Sequence, residues 1–229
     1  MAAERERSVV LVSGGMDSLV TAAVAAGESD PSFLHVSYGQ RTERRERRAF
    51  EEIADHYGVE RRLALSIESL RAVGGSSLTD PERTVPTGGV DHSRVPDTYV
   101  PFRNAHLAAI GVSWAETIGA SRIYLGAVEQ DSSGYPDCAR PFFDAFEKAA
   151  RLGTARLDRL RIVTPLIALS KEEIVRLGMK MDVPFHLSWS CYAEEERACG
   201  VCDSCRLRLE AFRRAGVPDP IPYAAGTTS

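Results

Sequence analysis

"SVVLVSGGMDSLVTAA", residues 8–23, decides the fold. Ser8–Val12 is a short apolar, β-branched run, the composition of a strand buried on both faces. It stops at Ser13-Gly14-Gly15-Met16-Asp17-Ser18, and small residues with helical character follow, which predicts a helix near Asp17–Ala26. A buried strand that turns through glycines into a helix aims backbone N–H groups outward at the positive end of the helix dipole. Such a turn is an anion site. The common nucleotide loop, G-x-x-x-x-G-K-[ST], would bring a lysine to the phosphates, and this turn has none. Ser13 and Ser18 can donate hydroxyls instead. Asp17 would repel a bare phosphate, so a carboxylate there makes chemical sense as a ligand of Mg²⁺.

The rest of the chain alternates strand and helix around this unit. Phe33–Val36, Arg61–Leu65, Arg122–Leu125 and Arg161–Val163 read as further strands. Thr42–Tyr57, with Thr42 as N-cap, Arg103–Ile118, Pro141–Leu152 and a segment near Arg206–Arg214 read as helices. Another helix opens at Ser170-Lys171-Glu172-Glu173, an S-x-x-E capping box. Repeated βα units predict an α/β domain with a parallel sheet and helices on both faces. Ligands then bind at the carboxyl ends of the strands, so the loops after residues 12, 36, 125 and 163 matter most. Residues 71–101, rich in proline and glycine, interrupt the pattern as a lid, a binding loop or a disordered stretch.

The 229-residue chain carries a formal net charge of −4, which does not favour a nucleic-acid partner. No apolar run approaches the roughly 18 residues of a membrane span, and the charged start "MAAERERS" leads into no signal-type core. A cytoplasmic protein is expected. The cysteines agree with that expectation, because four of the five crowd into residues 191–205 in a pattern suited to a metal rather than to disulfides. Cys191, Cys199, Cys202 and Cys205 are spaced C-x₇-C-x₂-C-x₂-C. Four thiolates complete a closed tetrahedral site for one structural Zn²⁺ per chain. An iron–sulfur cluster and four free buried cysteines are the rival readings. Residues 1–185 are thus expected to form a nucleotide-binding domain, and 186–229 a small zinc-binding segment packed on it.

"SGGMDS" resembles the S-G-G-x-D-S signature of the PP-loop ATP pyrophosphatases. That resemblance implies a Rossmann-like domain of the adenine nucleotide alpha hydrolase type. Its loop holds the β,γ-pyrophosphate of ATP while a nucleophile attacks the α-phosphorus, and an adenylate forms. By the same resemblance ATP would lie against Val12, Ser13, Gly14, Gly15, Met16, Asp17, Ser18, Leu19 and Val20, with Gln40 and Arg41 from the second βα turn.

Four further stretches extend the likeness over nearly the whole chain: "SYGQR" at 37–41, "VPFRN" at 100–104, "SGYPDC" at 133–138, and "SWSCY" leading into the cysteines. In this order they resemble the 7-cyano-7-deazaguanine synthase family of queuosine biosynthesis. One departure is Phe102, where a glycine or another small residue is expected. The resemblance implies a C–N bond-forming ligase and a homodimer. Its substrates would be 7-carboxy-7-deazaguanine, ammonia and ATP with Mg²⁺. The acid would pass through an adenylate to the amide, and an adenylated amide would lose AMP to leave the nitrile. A PP-loop tRNA-thiolating enzyme and a relative that passes the activated acid to another amine are the enzymatic alternatives. A catalytically silent nucleotide sensor is the alternative outside enzymes.

The remaining candidates are read from their positions. Arg103 opens a helix, where a guanidinium opposes the dipole unless an anion partners it, so it is matched to the substrate carboxylate or the α-phosphate. Asn104 stands beside it as a substrate contact. In "EQDSSGYPDC", Asp131 or Asp137 can read the ring N–H and amino groups of a guanine-like base, and Tyr135 can stack on its face. Lys171, in the first turn of its helix, is matched to pyrophosphate for the same reason as Arg103. Asp17, Arg103 and Lys171 form the expected catalytic set. The charged run "RTERRERRAF" reads as a solvated helix face, none of the five histidines as a ligand or catalyst, and Trp189 as packing around the metal segment.

Overall fold

The computed structural model describes residues 5–87, 95–129 and 134–224. Asp131 lies outside the described residues. Five parallel strands, β1 (Arg7–Leu11), β2 (Asp30–Ser37), β3 (Arg62–Ser66), β4 (Arg122–Tyr124) and β5 (Arg161–Val163), form one sheet in the order β3-β2-β1-β4-β5. Val9 and Val10 of β1 pair with Ser32 and Phe33 on one side and with Ile123 and Tyr124 on the other. Among the described residues the α-helices are, in chain order, α1 (Met16–Glu28), α2 (Glu43–His56), α3 (Ser69–Val73), α4 (Arg103–Ile118), α5 (Arg140–Gly153), α6 (Lys171–Lys180) and α7 (Asp203–Ala215).

Alternation along β1 separates the two cores, because successive side chains of a strand point to opposite faces. Val10 and Val12 pack with Leu19 and Val20 of α1, Phe50 and Ile53 of α2, Ile174 of α6 and Phe212 of α7. Val9 and Leu11 pack with Ala108 and Val112 of α4 and Phe143 of α5. The chain therefore leaves β1 toward one face of the sheet, through α1, and returns to its other edge through α4 on the opposite face. Strand order reverses between β1 and β4, and a crevice opens there at the carboxyl ends of both strands.

Local chemistry accounts for the helix starts. The capping box at α6 is complete: Glu173 N donates to Ser170 Oγ (3.3 Å), and Ser170 N donates to Glu173 Oε2 (2.8 Å). Thr42 does stand at the N-cap of α2, but its hydroxyl donates to Glu46 Oε1 (2.9 Å) rather than capping a backbone group. Phe102 precedes α4 in the left-handed region, at φ 57 and ψ 25, which costs a non-glycine residue about 1 kcal/mol or more. That backbone is the physical reason for expecting a glycine or small residue there. The exposed ring lies edge-on to His106 and Phe142.

A short helix, α3, that the sequence pattern does not announce runs into the start of the proline- and glycine-rich stretch. Its described residues are tied down. Ser77 N donates to Asp97 O (2.8 Å), and Tyr38, Leu70, Leu78 and Val100 share a small core. Arg41 fastens it further, donating to the carbonyls of Ser77 (2.9 Å), Asp80 (2.8 Å) and Arg83.

The C-terminal segment shares the body's core through Ala211 and Phe212. Arg208 and Asp219, each with a side chain 1% exposed, form a two-pronged ion pair at 2.7 and 2.9 Å. Arg208 also donates to Ser188 Oγ and Phe185 O, and Asp219 accepts from Tyr223. Removing one partner of such a pair strands a buried charge. Asp219→Ala is therefore expected to cost about 3 kcal/mol, read as a lower urea midpoint at unchanged slope.

Candidate active site

The turn after β1 forms a cup at the crevice. Ser13 Oγ accepts from Gly15 N (3.2 Å) and donates to Ser18 Oγ (3.1 Å), which in turn donates to Gly15 O (2.9 Å). The two hydroxyls thus brace the turn, while α1 begins at Met16 with its N-terminus at the cup. Gly14 has φ +91, and a Cβ there would meet Glu46 O at 2.7 Å and Ala49 Cβ at 2.9 Å. Both the dihedral and the close approach of α2 exclude a side chain. Gly14→Ala is expected to lose about 2 kcal/mol of stability and most nucleotide binding, measured by thermal unfolding with and without ATP.

A cleft of about 300 Å³ lies over the cup. Its walls come from separate elements: Ser13 and Asp17 from the turn and α1, Tyr38 after β2, Glu46 from α2, and Arg103 from α4. Lys171 from α6 and Tyr192 from the cysteine segment complete them. Gly126, two residues past the end of β4, also lines it. A Cβ there would lie 3.0 Å from the backbone of Asp17 and Ser18, so the β4 edge and the cup touch main chain to main chain.

Lys171 Nζ donates to Asp17 Oδ2 at 2.6 Å, with the two side chains 18% and 27% exposed. The anion set against the start of α6 is thus a carboxylate of the chain itself. Asp17 Oδ1 is buried without a hydrogen-bond partner. Arg103 Nη1 donates to Tyr38 Oη (3.1 Å), its guanidinium lies 5.6 Å from the Tyr38 ring centre, and its Nε is buried and unpartnered. An orphaned carboxylate oxygen and an orphaned guanidinium nitrogen on one cleft suit a ligand that brings both a cation and an anion.

Asp17, Arg103, Lys171, Asn104 and Tyr135 all line the cleft, together with Val12, Ser13, Gly15, Met16 and Ser18. Tyr135 Oη bonds Thr98 Oγ1 (2.6 Å) and its ring rests against Tyr99. Gly14, Leu19, Val20, Gln40, Arg41 and Asp137 are not among the residues that line it. Leu19 and Val20 are core residues. Gln40 turns inward, accepting from Tyr38 N (2.8 Å) and donating to Glu46 Oε2 (2.9 Å). Asp137 is spent on α4: Oδ2 accepts from Asn104 N (2.8 Å), while Asn104 Nδ2 donates to Asp137 O (3.0 Å) and Cys138 Sγ (3.1 Å). Burial raises the pKa of Asp137, against the Asn104 hydrogen bond and the nearby Arg103 charge.

Sequence reasoning missed Tyr38, Glu46, Gly126 and Tyr192. Gly126 carried a signal, a glycine directly after a strand at a ligand-binding edge. Glu46 was hidden in a charged run whose other members mostly face solvent.

The four clustered cysteines bring their sulfurs within 4.8 Å of one another, and none is in a disulfide. Backbone N–H groups of Ala193, Glu194 and Cys199 point at Cys191 Sγ at 3.3–3.4 Å, an arrangement that favours a thiolate. Hydrogen bonds from Cys202 and Cys205 hold the Cys191 pKa far down. Hydrogen bonding to Cys191 in turn raises Cys202 and Cys205. Four convergent sulfurs, one of them already met by three backbone N–H groups, suit a metal ion. Trp189, buried beside the cysteines, joins this module to the cup: its backbone N–H donates to Gly14 O at 2.8 Å.

The sheet order, the switch-point crevice and the S-G-G-x-D-S cup define a PP-loop domain of the ATP pyrophosphatase type. Among solved structures, a predicted subunit of tRNA methyltransferase from Methanocaldococcus jannaschii shares this fold, with a TM-score of 0.51 and 12% identity over 97% of this chain and 94% of that one. The chain belongs to the QueC family: residues 7–216 match the family described as queuosine biosynthesis protein QueC. It is 56% identical over 223 residues to the 7-cyano-7-deazaguanine synthase of Koribacter versatilis, covering 95% of this chain and 93% of the relative. It is 55% identical over 220 residues to that of Chlorobaculum tepidum, covering 95% and 96%. Among the described residues no helix is long and apolar enough to cross a membrane.

Proposed function

We propose that this chain converts 7-carboxy-7-deazaguanine and ammonia to 7-cyano-7-deazaguanine, consuming ATP and releasing AMP and diphosphate. The observation that carries the reading is the meeting, on one cleft, of the lysine-free cup, the Asp17–Lys171 pair and Arg103 with its unpartnered Nε. The N-terminus of α1, with Ser13 and Ser18, receives the diphosphate that leaves. Asp17 Oδ1 would hold the Mg²⁺ that accompanies ATP, which neutralises phosphate charge. Lys171, fixed by Asp17, faces the same oxygens. Arg103 holds the substrate carboxylate or the α-phosphate, and Tyr135 stacks on the heterocycle. Asp137 and Asn104 act as positioning residues, because their hydrogen bonds set the first turn of α4 on which Arg103 stands.

Two adenylations on one cup fit the chemistry. Dehydrating an amide directly requires hydroxide to leave, whereas AMP leaves readily. Cys191, Cys199, Cys202 and Cys205 would hold Zn²⁺ in a closed, structural site, since all four positions are filled by the protein. The free thiols suit the reducing cytoplasm. A homodimer follows from family resemblance and is checked by light scattering.

The test is AMP release that depends on both the acid and ammonium, with the product identified by mass. Nitrile product and one zinc per colourless chain support the reading. AMP release without nitrile, or a conjugate to another amine, overturns it.

A further inference from the structure

The proposed reaction makes a demand that the cup does not meet. Ammonium carries four protons and the nitrile nitrogen carries none. One proton leaves before the nitrogen lone pair can form the C–N bond, as the C–O bond breaks and AMP departs with its electron pair. A second leaves the adduct to give the neutral amide. After the amide oxygen displaces diphosphate from the second ATP, two more leave while C≡N forms and AMP again departs.

Among the described residues, Asp17 and Glu46 are the carboxylates that line the cleft. Asp17 is engaged by Lys171 at the cup. Glu46 stands on α2 and shares the cleft lining with Tyr38 and Arg103. Gln40 Nε2 donates to its Oε2 and Thr42 Oγ1 to its Oε1, both at 2.9 Å. Each oxygen keeps a further lone pair, so the carboxylate is oriented and can still accept. We propose that Glu46 binds ammonium and accepts these protons, passing each to solvent. This assignment rests on the adenylating reaction proposed above.

The electrostatics support it. Burial raises the Glu46 carboxyl to about 7. Hydrogen bonds from Gln40 and Thr42 and the charge of Arg103 from α4 work against that rise, and Glu43 on its own helix adds to it. Tyr38, just past the end of β2 on the same cleft, has its own pKa raised by burial and stays a neutral hydroxyl. A base near the working pH is suited to proton transfer.

The experiment compares Glu46→Gln with the wild-type enzyme in two assays: acid-dependent ATP–diphosphate exchange, and ammonium-dependent AMP release. The variant's amidation is expected to fall about 100-fold more than its exchange. At fixed total ammonium the wild type should lose activity below about pH 7, the value at which Glu46 takes up its proton. The variant should instead climb about tenfold per pH unit with free ammonia. Glu46→Asp should recover part of the rate. Equal losses in both assays, or an unchanged pH profile, would mean that Glu46 only supports the fold, and overturn the assignment. Absence of acid-dependent exchange in the wild type would instead overturn the adenylation reading itself, and the role of Glu46 with it.

Discussion

Asp17→Asn is expected to lower acid-dependent ATP–diphosphate exchange by about 10³-fold while leaving the fold in place. The substitution preserves shape and removes one charge that serves two ends. Oδ1, buried and unpartnered, loses its attraction for a cation arriving with the triphosphate. Oδ2 loses its hold on Lys171 Nζ, 2.6 Å away. The lysine side chain is only 18% exposed and sits at the positive end of α6, so its charge becomes costly once the carboxylate is gone. A stability loss of about 1–2 kcal/mol should accompany the loss of exchange. Lys171→Met in the same chain should restore that stability and no activity. If Asp17→Asn retained exchange, Asp17 would be no more than a brace for Lys171.

Cys205→Ser is expected to release the metal and cost about 4 kcal/mol or more, among the largest single-residue losses available to this chain. Cys205 is fully buried at the start of α7, the helix that carries Arg208 into its ion pair and Phe212 into the core. A serine there leaves three thiols converging on an open position, and the N–H groups aimed at Cys191 then stabilise an anion with no counter-charge. Zinc released per chain, counted with a colorimetric chelator during thermal unfolding, should fall from one to near zero in the variant. A strong chelator should bring the wild type to the same lowered midpoint. A variant that binds no metal and melts with the wild type would show that the sulfurs cluster without holding an ion.

Much of this architecture was legible because it is local. β-branched runs, glycine after a strand, and S-x-x-E before an amphipathic segment each encode their element within a few residues, and β1, α4 and α6 fall within about a residue of expectation. The cysteine spacing was equally local. What escaped depends on distant partners. Asp137 reads from its loop as a base-recognising carboxylate, and no local pattern announces that α4 brings Asn104 N onto it. Gln40 and Arg41 follow a ligand-binding strand, yet one turns toward Tyr38 and Glu46 and the other clasps the 77–83 loop. Glu46 is one acid among several in a charged helix. Only the packing of α2 on Gly14 turns it toward the cleft while Glu51 and Glu52 pair with surface arginines.

The bond from Trp189 N to Gly14 O joins two main chains. Side-chain replacement at 189 leaves its donor in place, short of a proline that takes away the hydrogen. The linkage therefore calls for no particular side chain at 189, while position 14 is held to glycine by its backbone and by the close approach of α2. An ion held by the four sulfurs would therefore brace the cup through main chain alone, from several residues away.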